Sequence, residues 1–119
     1  DTLALKAPAD RLTNIALATV EMRNSDFSSA IIHLSTVLKD NPDATHYGSR
    51  ALCYLMTGDL AAASDDIASG LELDPTDGEL YLYRALLNKM RYRPDDAKAD
   101  GEKAIKMGVD SRKVNTLLQ

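Results

Sequence analysis

The side chains that could carry out metal or acid–base chemistry in this chain are few and widely spaced. His33 and His46 are not at a spacing that would place both on one helical face beside a carboxylate, so they do not form a pair of metal ligands. The aspartates at 65–66, 74–77 and 95–96 lack the ladder of oxygen ligands, closed by a glutamate, that a calcium loop requires. We therefore predict isolated surface histidines, aspartates that cap helices or face solvent, and no metal site.

Nucleophilic chemistry has no better candidate. Cys53 is the single cysteine, so the chain has no internal disulfide and no site with several cysteine ligands. It stands between Leu52 and Tyr54 in an apolar run, which is typical of a small buried hydrophobic residue. The sequence shows no glycine-rich phosphate loop, no cysteine–histidine pair and no serine–histidine–aspartate set. We predict a protein that is not an enzyme and needs no cofactor.

Composition excludes two classes of partner. The 119 residues carry a net charge of −4 and no basic cluster, whereas binding to nucleic acid phosphates needs clustered lysine and arginine. No apolar run approaches the roughly 20 residues that a membrane-spanning helix needs. Because the first residue is Asp1 rather than methionine, we expect that a leader, a tag or an upstream domain has been removed.

The sequence that positions these side chains repeats with a period of about 34 residues. Ala30, Ala63 and Ala97 recur at this spacing, and similar residues recur around each of them. A period of this size is typical of stacked helix pairs, in which each pair buries its apolar face against its neighbours. The repeat predicts a binding scaffold rather than an enzyme.

Apolar spacing and capping residues predict an all-α fold. Asp10, Asp26 and Asp59 are expected to cap helix N-termini, and Gly58 is expected to end a helix in the left-handed conformation. No stretch shows the alternation of apolar and polar residues that a strand would need.

The second repeat carries a recognisable motif of two aromatics, small residues, a Gly-Asp turn and a closing proline. Its members are Tyr47, Ala51, Tyr54, Gly58, Asp59, Ala63 and Pro75. This motif resembles the tetratricopeptide repeat. The first repeat departs from it with Asn14 and Glu21 at the aromatic positions, and Asn88 replaces the second aromatic of the third.

The resemblance implies a right-handed α-solenoid of three helix pairs. Its expected boundaries are an N-terminal extension at 1–10, repeats at 11–43, 44–77 and 78–110, and a capping helix at 111–119. Gly70 and Gly101 are expected to leave small gaps in the second helices.

An arginine–aspartate pair recurs with the period of the repeat. Arg50 and Arg84 are each followed, sixteen residues later, by an aspartate, Asp66 or Asp100. Both partners change together in the first repeat, where the equivalent residues are Leu17 and His33. We predict that each arginine packs its stem between the helices and forms an ion pair across its own hairpin.

The first helices of a tetratricopeptide array line a concave groove, which the resemblance makes the candidate binding site. The predicted groove positions are mostly apolar: Ile15, Thr19, Met22, Gly48, Leu52, Leu55, Met56, Leu82, Tyr83, Leu86 and Met90. Related co-chaperone domains hold a terminal carboxylate with a clamp of basic and amide side chains. The matching residues here carry no positive charge, so a chaperone C-terminal tail is not the expected ligand; they are Ile15, Thr19, Ser49, Glu79 and Tyr83.

Two explanations of this apolar stripe remain open at the level of sequence. It binds an apolar peptide or helix of a partner protein, or it is covered by a second copy of the chain or by the chain's own segment around Leu3 and Leu5. The repeats resemble those of bacterial proteins, which predicts either a bacterial cytoplasmic protein or an exported mature form.

Overall fold

The computed structural model describes residues 8–119, which form seven α-helices and no strands. The helices are α1 (Pro8–Arg23), α2 (Phe27–Asp40), α3 (Ala44–Thr57), α4 (Leu60–Leu73), α5 (Gly78–Met90), α6 (Pro94–Lys106) and α7 (Ser111–Leu118). They pack as three successive hairpins followed by α7, in an elongated array of 51 × 25 × 24 Å. The all-α solenoid prediction is confirmed. The segment around Leu3 and Leu5 lies outside the described residues.

Three of the four predicted capping residues are confirmed. The Asp26 carboxylate accepts a hydrogen bond from the Ser29 N–H, and Asp59 accepts one from the Ala62 N–H. Gly58 ends α3 with φ +87°, a conformation that costs glycine little.

The start of α1 was predicted wrongly. Asp10 lies inside the first turn of the helix instead of capping it, and α1 begins earlier, at Pro8. Proline fits there because the first-turn N–H groups of a helix have no intrahelical acceptor, so its missing N–H costs nothing.

Small residues let the two helices of each hairpin approach closely. Ala51 and Ala63, one from each helix of the second pair, are both 0% exposed and share one core cluster. Ala18 and Ala30 make the equivalent contact in the first pair. The repeating alanines therefore set the spacing within each hairpin.

Replacing Ala63 with leucine is expected to lower the free energy of unfolding by about 1–3 kcal/mol, because the larger side chain overpacks a contact that has no free space. Ala61, on the exposed side of the same helix, provides the matched control. Chemical denaturation of Ala63→Leu and Ala61→Leu measures the difference, and equal stability of the two variants would contradict this packing.

Successive hairpins stack through the glycines that were expected to leave gaps. A Cβ on Gly70 would lie 2.8 Å from Leu80 Cδ1, and a Cβ on Gly101 would lie 2.8 Å from Leu118 Cδ1. The prediction of gaps is wrong, because side chains from the following helix occupy the space above each glycine.

The last helix continues the repeat instead of simply ending it. Lys113 of α7 stands one repeat after Glu79 of α5, at the same repeat position. Lys113 Nζ donates to Glu79 Oε1 over 2.7 Å, and Val114 is 2% exposed in a cluster with Tyr81, Leu82 and Ala104. α7 thus covers the end of the third pair as the first helix of a further pair would.

Candidate peptide-binding groove

Four of the predicted groove residues belong to the core. Leu55 is 1% exposed and Leu82 0% exposed, while Leu86 and Gly48 are also buried. Leu55 and Leu86 pack in one cluster across the boundary between the second and third pairs. The first helices therefore contact one another along part of the predicted stripe, and these four positions are corrected from ligand contacts to core positions.

Gly48 makes room for a side chain and not for a ligand. A Cβ at this position would lie 3.3 Å from Leu80 Cδ2 and 3.5 Å from Tyr83 Cε2. The glycine lets α5 pack closely on α3, so the Tyr83 ring fills the space that a ligand backbone would otherwise use.

Seven predicted positions keep accessible surface. Thr19 and Met56 are exposed, whereas the others are partly buried. Met22 packs against the cluster of the first pair, and Leu52, Tyr83 and Met90 pack against that of the second. We call these seven the groove residues: Ile15, Thr19, Met22, Leu52, Met56, Tyr83 and Met90.

A small recess of mixed polar and apolar lining adjoins the groove residues at Tyr83. It has a volume of about 200 Å³ and is lined by Thr45, Gly48, Ser49, Asp77, Glu79, Leu80 and Tyr83. Burial and then the nearby Glu79 carboxylate raise the pKa of the Tyr83 hydroxyl above its usual value, so Tyr83 stays neutral. Thr45 is not among the residues predicted from sequence. Thr45 could have been found from the repeat, because Thr45 and Glu79 are one repeat apart and occupy equivalent positions.

The predicted ion pairs across the hairpins are confirmed. Arg50 Nε and Nη2 donate to the two oxygens of Asp66, each over 2.7 Å, and Arg50 Nη1 donates to Ser35 Oγ over 3.0 Å. Hydrogen bonding to Asp66 raises the pKa of Arg50, outweighing the effect of burial. The pair links α3 to α4, and Ser35 extends the link to α2.

The third hairpin repeats this arrangement with more solvent. Arg84 Nε and Nη2 donate to Asp100 over 2.9 and 2.8 Å, and Asn88 Nδ2 donates to the same carboxylate over 2.9 Å. The Arg84 side chain is 41% exposed, compared with 20% for Arg50. The Arg50–Asp66 ion pair of the second hairpin is therefore more buried than the Arg84–Asp100 pair of the third.

The histidines are paired with carboxylates, so the prediction of isolated surface histidines is wrong. His33 Nδ1 lies 2.7 Å from Glu21 Oε1. Glu21 occupies the repeat position of Asn88, and His33 that of Asp100. A side-chain pair thus also links the two helices of the first hairpin, but its acidic residue, Glu21, lies on the first helix instead of the second. This pairing is visible in sequence only after the repeat register is known.

His46 takes part in a second link, between hairpins. Its Nδ1 lies 2.6 Å from Asp43 Oδ2, to which Arg11 Nη2 also donates over 2.9 Å. Burial opposes ionisation of Asp43, but hydrogen bonds from His46 and the charge of Arg11 outweigh it and lower the pKa of the carboxyl. Arg11 also donates to Val37 O over 2.7 Å. This cluster fixes α1 and α3 to the end of α2.

Cys53 is a core residue, as predicted. It is 0% exposed and packs with Ala18, Ala30 and Leu34. Burial raises the pKa of its thiol to about 11, so the nucleophilic thiolate is scarce at neutral pH.

Comparison with known proteins gives similar sequences but no matching family model. The chain is 31% identical to human tetratricopeptide repeat protein 36 over 70% of its own length and 47% of that protein. It is 28% identical to the cattle protein of the same name over 76% of its own length and 51% of that protein. The chain thus spans about half the length of the curated relatives it matches. These relatives are vertebrate proteins, so the comparison gives no support to the prediction of a bacterial source.

Solved structures match the fold closely. The tetratricopeptide domain of Arabidopsis OM64 superimposes with a TM-score of 0.82 at 18% identity, covering 92% of each chain. A domain of yeast Sti1 in complex with an Hsp70 peptide gives 0.81 at 19% identity, covering 91% of this chain and 92% of that one. The first such domain of Spaghetti (RPAP3), bound to an HSP90 peptide, gives 0.77 at 17% identity and covers 94% and 95%.

No helix within residues 8–119 has the length and apolar character needed to cross a membrane. The register of the three hairpins, their alanine contacts and these superpositions together identify the chain as a tetratricopeptide repeat array of three helix pairs with a C-terminal capping helix.

Proposed function

We propose that this protein is a non-catalytic interaction scaffold that holds an apolar peptide or helix of a partner protein against the groove residues. The observation that carries the proposal is a row of accessible apolar side chains contributed by all three first helices. Ile15, Leu52 and Met90 each come from a different hairpin and keep part of their surface accessible. Apolar surface shared by successive elements usually marks an interaction site.

The chemistry of the groove favours an apolar segment over a charged terminus. None of the seven groove residues carries a charge, and the adjoining recess contributes the carboxylates Asp77 and Glu79. Two similar structures hold peptides of Hsp70 and HSP90, which supports peptide binding by this fold. Lys113, the cation beside the recess, is already paired with Glu79, so these residues offer a carboxylate-terminated tail no free positive charge, and we propose a different class of ligand for this chain.

The test uses substitutions that leave the core intact. Thr19→Glu combined with Met56→Glu places two charges on exposed groove positions, whereas Leu86→Glu would disrupt a buried residue and confuse unfolding with loss of binding. Ile32→Glu is the matched control, because Ile32 is 66% exposed on the second helix of the first pair.

We expect the wild type and Ile32→Glu to capture the same protein partner, and the double groove variant to bind it at least about ten-fold more weakly, a loss of ~1.4 kcal/mol. Quantitative affinity capture followed by titration of the purified partner measures this difference, and thermal unfolding checks that all three proteins are folded. Equal affinity of all three proteins for the partner would contradict binding at the groove residues. If light scattering shows a dimer of the chain that competes with the partner for the groove residues, the groove would instead be assigned to self-association.

A further inference from the structure

The turn between α5 and α6 differs from the equivalent turns of the other two hairpins. Ser25, Gly58 and Tyr92 occupy the same repeat position, and their φ angles are 60°, 87° and 59°. Glycine adopts this left-handed conformation without strain, whereas a bulky aromatic residue adopts it rarely. Tyr92 is also 92% exposed, so packing within the fold does not offset the strain.

The next residue of this turn also stabilises the fold less than its equivalents. Asp26 and Asp59 cap α2 and α4 with their carboxylates, whereas Arg93 stands at the same position before α6 and makes no side-chain capping hydrogen bond. A positive charge is unfavourable at the N-terminus of a helix because of the helix dipole. Tyr92 and Arg93 therefore both replace residues that would suit the turn better. Such departures are expected where side chains serve a function other than folding.

Tyr92 borders an apolar recess at the end of the third hairpin. Lys89, Tyr92 and Pro94 line this recess, which has a volume of about 370 Å³. Lys89 and Pro94 also line a neighbouring recess, to which Lys98 and Leu118 contribute. The two recesses are contiguous because they share two residues, and together they offer an aromatic ring, a proline ring and lysine stems to an apolar side chain.

Unpaired positive charges surround the two recesses. Arg91, Arg93 and Lys98 are exposed, and no carboxylate within residues 8–119 forms an ion pair with any of them. Asp95 and Asp96 partly offset this charge in the sequence, but neither lines a recess. We call the following residues the turn surface: Lys89, Arg91, Tyr92, Arg93, Pro94 and Lys98.

We propose that the turn surface binds an acidic segment of a partner protein. An apolar side chain of the segment enters the recess at Tyr92, and the side-chain carboxylates on either side of it meet Arg91, Arg93 and Lys98. Nucleic acid is disfavoured as the ligand, because these three cations are few and the chain carries a net charge of −4. None of the seven groove residues lines either recess, so the turn surface binds its ligand without them.

The test gives this turn the residues of the second hairpin. Tyr92→Gly combined with Arg93→Asp reproduces Gly58 and Asp59, so the variant is expected to fold. Its unfolding temperature should rise by at least about 3 °C, because the strain is removed and a cap is gained. Its affinity for an acidic peptide should fall at least about ten-fold, because the aromatic ring and one cation are lost.

Ser25→Gly is the matched control for the effect on stability. It removes the same left-handed strain from the turn of the first hairpin, which carries no comparable group of cations. We expect Ser25→Gly to unfold at a higher temperature than the wild type and to bind the acidic peptide with unchanged affinity.

The probe is a synthetic peptide with both ends capped, Asp-Glu-Phe-Asp-Glu-Leu-Asp-Glu, titrated against the full chain at low ionic strength. Nuclear magnetic resonance follows the amide shifts, which we expect to centre on residues 91–98. Added salt should weaken binding, since the cations are exposed. The neutral analogue Asn-Gln-Phe-Asn-Gln-Leu-Asn-Gln should bind at least about ten-fold more weakly than the acidic peptide.

Four results would overturn the proposal. The acidic peptide could cause no shifts in residues 91–98, or it could bind no better than its neutral analogue or bind the double variant as well as the wild type. The double variant could be less stable than the wild type, which would show that the fold needs Tyr92 and Arg93. Single-stranded oligothymidine could bind the turn surface more tightly than the peptide, which would make it a nucleic acid site. Light scattering could show a dimer that the double variant dissociates, which would assign the turn surface to a second copy.

Discussion

Asp66→Ala is expected to lower the free energy of unfolding by about 3 kcal/mol, the lower end of the roughly 3–5 kcal/mol range for breaking a buried ion pair. The Asp66 side chain is only 6% exposed and satisfies two guanidinium donors of Arg50. Without the carboxylate, Arg50 keeps its charge between the hairpins with Ser35 as a remaining partner. Because Arg50 is 20% exposed, water reaches part of the guanidinium and limits the loss.

The third hairpin provides an internal comparison for this prediction. Asp100→Ala should cost about 1–2 kcal/mol, between the values for exposed and buried pairs, because Arg84 is 41% exposed. Asp65→Ala, at an exposed neighbouring position, should change stability by less than about 0.5 kcal/mol. Urea denaturation of the three variants measures the order.

A double-mutant cycle separates the pair from its surroundings. Its single variants are Arg50→Met and Asp66→Leu, which replace the charged side chains by apolar ones of similar size, and we expect the double variant to recover most of the stability lost in Asp66→Leu alone. Coupling below about 0.5 kcal/mol between the two positions would mean that the hydrogen bonds do not stabilise the array.

The features that could be predicted from sequence are those fixed within one repeat. The 16-residue spacing of Arg50 and Asp66 places them on facing sides of one hairpin, so their pairing follows from the helix lengths alone. Gly58 likewise predicts its own turn because few other residues adopt φ +87° without strain.

The groove positions that were misassigned depend on contacts between repeats. Periodicity placed Leu55 and Met56 together on one stripe, but it does not show how far α5 covers α3. In the structure that coverage buries Leu55 and leaves Met56 46% exposed. The angle between stacked hairpins is set by residues such as Gly48 and Gly70, whose effect depends on Leu80 from the next hairpin. A single-repeat pattern contains no information on that angle.

Leu55→Ala is expected to lower the free energy of unfolding by about 2–5 kcal/mol, the range for removing a buried leucine side chain from a core that collapses only partly. Leu55 packs against Ala51, Ile67 and Leu87, so the variant opens a cavity at the boundary between the second and third pairs. Met56→Ala, at the next position, should change stability by less than about 0.5 kcal/mol. Thermal and urea unfolding of the two proteins compare the core with the groove.

Binding of the groove partner should show the opposite order. Met56→Ala removes accessible apolar surface and should weaken binding, whereas Leu55→Ala, measured well below its unfolding temperature, should bind with nearly wild-type affinity because its side chain does not reach the groove surface. The two substitutions together distinguish a residue that builds the array from one that contacts a ligand. If Leu55→Ala lost affinity while its unfolding free energy stayed close to that of the wild type, the stripe predicted from sequence would be the binding surface after all, and the burial of Leu55 between the hairpins would not describe the protein in solution.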